Sequence, residues 1–111
     1  MSVSYFVRYD IAVGDLDGFL RRYREVHVPM VARWPGLRRV TMHTPVAWQD
    51  PVPVNRGKAA LMAQLEFDSE EAMNRALASR ERIEAREDFK RFMTSEGTVT
   101  HQAMKSEEVW P

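Results

Sequence analysis

The chain contains no cysteine. That excludes disulfides, thiolate nucleophiles and cysteine-bound metal. It has no charge excess either: 16 Lys and Arg balance 16 Asp and Glu. Apart from the small Arg38-Arg39 pair there is no electrostatic footprint for nucleic acid, and none is expected as a partner. No apolar run approaches the ~20 residues of a membrane span. The start, Met-Ser-Val-Ser-Tyr-Phe-Val-Arg, lacks the basic head and long apolar stretch of a signal peptide. The expectation is a soluble cytoplasmic protein without a membrane partner. Internal repeats and low-complexity tracts are also missing. What remains is 111 residues, 44% hydrophobic, enough for one domain over 1–111 to build a core unaided.

Hydrophobic periodicity divides this chain into seven elements. Residues 3–11 alternate, with Val3, Tyr5, Val7, Tyr9 and Ile11 on one face and Ser4, Phe6, Arg8 and Asp10 on the other, which is a strand. Residues 15–33 read as a helix, 37–46 as a second strand and 58–67 as a third. Pro51 and Pro53 keep 47–57 a loop. Asp68 with Glu71 resembles a capping box opening a helix over 69–79. A further helix, about 82–94, carries Ile83, Phe89, Phe92 and Met93. Gly97 marks a break before a last strand, 98–105. The order β-α-β-β-α-α-β predicts an α+β, ferredoxin-like protomer: a four-stranded antiparallel sheet with helices on one face and the first and third strands central. The free face then carries Phe6 and Met62 beside Arg8, Gln64 and Glu66. A second copy packed sheet to sheet is the cheapest cover, so a homodimer is expected.

The first helix holds the most informative residue. On a helical wheel Leu16, Leu20, Tyr23, His27, Met30 and Trp34 fall within roughly 80° of one another. His27 therefore points inward, while Arg21, Arg22, Arg24, Glu25 and Arg33 lie mostly outside the stripe. Asp15 is the expected N-cap. Pro29 has no N–H for the carbonyl of Glu25 and disfavours helical angles at Val28, so a kink is expected just after His27. Trp34-Pro35-Gly36 ends the helix.

Three segments together resemble the EthD-like family of the dimeric α/β-barrel superfamily. They are Phe19 through Met30, with its Tyr-Arg-Glu-x-His-x-Pro pattern; Pro35-Gly36-Leu37-Arg38-Arg39-Val40; and Leu65-Glu66-Phe67-Asp68-Ser69-Glu70-Glu71-Ala72, continuing to Asp88-Phe89. The resemblance implies a dimeric α/β barrel with a cavity between sheet and helices. It also implies that His27 matches a helical histidine proposed, in isomerase relatives acting on methyl-muconolactone, to transfer a proton. Other relatives are similar to cyclases and dehydratases. The Pro-rich 45–57 segment and the Trp110-Pro111 end depart from the family pattern, so substrate identity does not transfer.

The candidate site follows. His27 is a general base or acid, since an imidazole exchanges protons near neutral pH; the plainer alternative is a core histidine held by one hydrogen bond. Tyr23, one turn earlier, orients the imidazole or holds a carbonyl, or simply fills the core. Tyr5 and Trp34 are candidate substrate contacts. Trp48, in the Pro-rich loop, caps the cavity mouth or packs on a partner. Arg39 and Arg8 are candidate anion holders, or else surface ion pairs. His43 and His101 lie on strands without metal-site spacing, so neither metal nor cofactor is expected. Arg80, Arg82, Glu84, Arg86 and Glu87 read as a solvated helix face. The function expected is a cofactor-independent isomerase, cyclase or dehydratase acting on an unsaturated carbonyl-bearing small molecule, lactone or polyketide-like. The alternatives are a non-catalytic binder or accessory protein for a hydrophobic metabolite in oxidative degradation, and a cofactor-free oxidoreductase.

Overall fold

The computed structural model describes residues 2–92 and 97–111. The elements are β1 (Ser2–Ile11), α1 (Leu16–Arg22), a π-helical turn (Tyr23–His27), α2 (Val28–Val31), β2 (Arg39–His43), β3 (Leu61–Phe67), α3 (Glu70–Leu77), α4 (Arg80–Phe92) and β4 (Gly97–Ser106). One antiparallel sheet runs β2-β3-β1-β4. The two central strands are the two most apolar, as the sequence requires. Their inward residues, including Tyr5, Val7, Leu61, Leu65 and Phe67, form the core with Val31, Met73 and Ala76 from the helices. Burying a side chain such as Leu65 or Phe67 contributes about 1.5–3 kcal/mol.

Several local expectations change. Val28 stays helical, at φ −57° and ψ −43°. The chain accommodates Pro29 by widening the helix: the Val28 N–H bonds to Tyr23 O, five residues back. Pro29 then falls in the first turn of α2, where a missing N–H costs nothing. Asp15 does cap α1, accepting from the Gly18 N–H at 3.0 Å. At α3 the cap is Ser69, whose hydroxyl accepts from Ala72 N at 3.1 Å. Asp68 instead takes the Arg38 guanidinium, at 2.9 and 2.6 Å. Ile83 faces outward and is 60% exposed. Met93 and the Phe92 side chain, also expected on this helix, lie outside the described residues.

Gly36 adopts φ +78°, a region open to glycine at little cost. That turn lets the Arg38 N–H reach Glu66 O at 2.9 Å and dock β2 on β3. Residues 44–60 form no regular structure and are mostly exposed. No helix among the described residues is long and apolar enough to cross a membrane.

Candidate active site

A narrow, partly open cavity lies between the sheet and the helices. The sheet contributes Tyr5, Val7 and Tyr9 from β1, Leu65 from β3 and His101 from β4. The first helical run contributes Tyr23, His27, Val31 and Trp34. α4 contributes Arg82, Ala85, Arg86 and Phe89. The spacing i, i+3, i+4, i+7 puts those four on one face of α4.

His27 is 5% exposed and Asp88 4%. His27 Nδ1 lies 3.0 Å from Asp88 Oδ2. The same carboxylate receives both arms of the Arg22 guanidinium, Nη2 to Oδ1 at 3.0 Å and Nη1 to Oδ2 at 3.2 Å. Arg22 holds the Asp88 carboxyl below the ordinary carboxylate range; burial opposes it and the bond to His27 assists. Asp88 is therefore ionised near neutral pH and can only accept hydrogen bonds. It follows that Nδ1 of His27 carries the proton and donates, while Nε2 keeps the lone pair. Burial pulls the His27 pKa below its ordinary value of 6.5, more than Asp88 raises it; Arg22 and Arg86 lower it further. The resting imidazole is neutral, oriented and basic at one defined nitrogen.

Tyr23 packs in the core beside the imidazole and satisfies its polar tip on Tyr9. Its ring packs 4.8 Å from the His27 ring, tilted 42°. Its hydroxyl accepts from the Tyr9 hydroxyl at 3.2 Å. Orientation of the imidazole comes from Asp88. Burial pushes the Tyr23 phenol up to about 12 and raises that of Tyr9 as well, so both remain neutral hydrogen-bonding groups. Trp34 is 6% exposed, and its buried Nε1 has no hydrogen-bond partner among the described residues. Tyr5 accepts from Arg82 Nη2 at 3.2 Å and lies 2.8 Å from His101 Nδ1.

The structure thus brings His27, Tyr23, Tyr5 and Trp34 together. It does not bring in Arg39 or Trp48. Arg39 pairs opposite Glu66 on the other face of the sheet, with their side chains 3.8 Å apart. Arg8 also faces away and pairs with Asp10 at 2.9 Å. Trp48 is 48% exposed, with the Arg56 guanidinium 4.0 Å over its ring. His43 bonds Gln64 at 3.0 Å, away from the cavity. Sequence reasoning missed Asp88, Arg22, Arg82 and Arg86. The signal for Asp88 was present: it stands on the stripe of Ala85 and Phe89 in α4, where a carboxylate needs a buried partner. No cluster of side chains suited to a metal ion occurs among the described residues.

Fold and site define an α+β, ferredoxin-like domain with a buried histidine–carboxylate pair at a narrow cavity between sheet and helices. The EthD domain profile matches residues 15–96. The chain belongs to the EthD family. It is similar in fold to an EthD-family protein from Bacillus halodurans, at 22% identity, covering 96% of this chain and 100% of that one, TM-score 0.76. It is also similar to SnoaB, a cofactor-independent oxygenase from Streptomyces nogalater, at 18% identity, covering 99% and 97%, TM-score 0.63. A dimeric protein of unknown function and ferredoxin-like fold from Bacteroides fragilis matches at 10% identity, covering 95% and 96%, TM-score 0.63. No curated protein matches the chain.

The lowered His27 pKa makes stability pH-dependent. Below about pH 6.5 an unfolded imidazole takes up a proton that the buried one refuses. The unfolded state then binds more protons, so stability falls as pH falls through that range. His101, also lowered by partial burial and then by Arg86 and Arg82, acts in the same direction. His27→Gln keeps an N–H donor for Asp88 and removes one titration. The wild-type Tm should drop between pH 7 and pH 5, and the variant's should drop less. Equal drops would contradict a neutral buried His27.

Proposed function

We propose that this protein is an enzyme of small-molecule metabolism in which His27 moves a proton on an unsaturated carbonyl compound. The observation that supports this most is the Arg22–Asp88–His27 chain. A purely structural histidine needs one hydrogen bond. Here a guanidinium-locked carboxylate selects the tautomer whose basic nitrogen is Nε2, on a residue that lines the cavity. Nε2 takes a proton from carbon, the electron pair delocalises onto the carbonyl oxygen, and Asp88 stabilises the imidazolium formed. Return of the proton at another carbon completes an isomerisation; its return to a leaving hydroxyl completes a dehydration. A positioned acid–base group of this kind contributes about 10²–10⁴-fold. Trp34 Nε1 offers a buried donor for a ligand oxygen, and Tyr9, Tyr23 and Phe89 give the aromatic wall that an unsaturated ring packs against.

A second reading, cofactor-free oxidation, is favoured by the similarity to SnoaB and differs by consuming dioxygen. A third, metabolite binding without turnover, predicts ligand affinity that no substitution at His27 converts into lost chemistry.

The working unit in this proposal is a homodimer over the single domain 1–111. The radius of gyration, 15.2 Å, exceeds the ~13 Å of a compact chain of this length. Val46, Val52 and Val54 on the 44–60 segment are exposed, and Trp110 of the tail is 87% exposed. Phe6 and Met62 sit half-buried on the open sheet face. A second copy would cover all three regions. Light scattering should give the dimer mass for the full chain and the monomer mass after deletion of 106–111. A monomeric full chain would overturn the assembly.

The proton-transfer reading is tested with α-angelica lactone, an unsaturated lactone that becomes conjugated when a ring proton moves. Wild-type protein should accelerate the conversion, followed by ultraviolet absorbance. The acid limb of kcat/KM should have its midpoint below pH 6.5. His27→Gln should cut the rate about 10²–10⁴-fold with little change in lactone binding. Acceleration that survives the substitution would overturn the assignment.

A further inference from the structure

The cavity holds a second set of polar groups that the His27 chemistry does not itself use. Arg82 and Arg86 line its α4 wall, and no Asp or Glu lines it with them. Of the acidic residues of α4, Glu84 pairs with Arg33 at 3.4 Å, Glu87 with Lys90 at 3.6 Å, and Asp88 with Arg22 and His27; Glu81, in the first turn, is not among the residues lining the cavity. Among the described residues neither Arg82 nor Arg86 forms an ion pair. Both side chains are half-buried. Arg82 donates to Tyr5 Oη at 3.2 Å and to Leu77 O at 3.4 Å, leaving its buried Nε without a partner. Arg86 Nη1 lies 3.5 Å from His101 Nε2, a long contact with a neutral ring, and its guanidinium sits 5.8 Å from the Phe89 ring centroid. Two guanidiniums thus face an apolar cavity with no ion-pair partner among the described residues, and a half-buried uncompensated charge favours an anionic ligand.

The geometry points to an oxyanion subsite formed by Arg82 and Arg86, with Tyr5 and His101 beside them, so that the substrate is a compound whose oxygen is anionic or becomes so. This rests on the proton-transfer reading of His27 and names the substrate class for it. Phe89 sets the layout: its ring is 6.2 Å from the His27 ring and lies under Arg86. The Phe89 ring thus stands beside both the base and one of the two cations. When a C–H bond gives its proton to His27 Nε2, the electron pair passes to the carbonyl oxygen. An enolate or phenolate oxygen beside the arginines then meets positive charge in a low-dielectric site, where it counts for more than in water. No bond to the protein forms, and the proton is returned when the enolate collapses. The ligand class is an enolisable or phenolic ring compound, as distinct from a neutral lipid.

The test uses 4-nitrophenol, whose phenolate absorbs visible light. An apolar cavity alone would raise the pKa of the bound phenol, whereas a cationic subsite lowers it. The bound probe should ionise about one pH unit below the free probe, a tenfold change in its ionisation constant. Arg86→Gln should abolish most of that shift. Arg82→Gln is the companion variant; because Arg82 also holds Tyr5 and Leu77, its Tm is measured alongside, and Arg86→Gln decides should that chain not fold. His27→Gln should retain the shift. An upward shift, no saturable binding at millimolar probe, or a shift unaffected by loss of Arg86 overturns the subsite. A shift lost in His27→Gln but kept in Arg86→Gln also overturns it, since the anion then sits at the histidine. A downward shift that depends on Arg86, in a protein that leaves α-angelica lactone unchanged, upholds the subsite and rejects the proton-transfer reading.

Discussion

The buried carboxylate of Asp88 is the constraint on which the site depends. It joins α4 to the first helical run through two partners, Arg22 and His27, 66 and 61 residues away in sequence. A carboxylate at that depth is costly unless paired and hydrogen-bonded. Its bidentate arginine satisfies the charge, and its bond to Nδ1 turns that satisfied charge into a statement about the histidine. The three groups sum to zero only when the imidazole is neutral. Protonating His27 would add a buried positive charge beside Arg22 and near Arg86. Structure and acid–base behaviour therefore have one cause.

The π-helical turn is the second requirement. Tyr23 and His27 both need to face the cavity while Pro29 follows two residues later. An α-helical register would set the proline ring against the Glu25 carbonyl. The wider turn avoids that and starts a fresh helical segment at Val28, so the proline restricts the chain where the histidine must be held. Such turns recur at functional positions because they re-aim side chains without ending the helix.

Much of this was legible in the sequence. Strand alternation gave the central β1 and β3, and the helical stripe placed Tyr23, His27 and Trp34 inward. Both rest on local periodicity, which a chain displays openly. The charged side of the site was harder to read. Arg22 lies off the apolar stripe, yet its long side chain reaches across to α4. Arg82 and Arg86 belong to a helix crowded with charges, and only the three-dimensional position of Ala85 and Phe89 shows which face is inner. Arg39 is a matter of parity: its strand turns it to the open face, opposite the cavity, as its pairing with Glu66 requires. The proline-rich segment and the tail have no periodicity to read.

The central claim is that Asp88 fixes a neutral His27 with its proton on Nδ1 and its lone pair on Nε2. Nitrogen-15 NMR of the imidazole observes this directly. At pH 7 the His27 spectrum should show a protonated Nδ1 and an unprotonated Nε2, and its titration midpoint should lie below 6.5. A proton on Nε2, or an imidazolium at pH 7, would contradict the account.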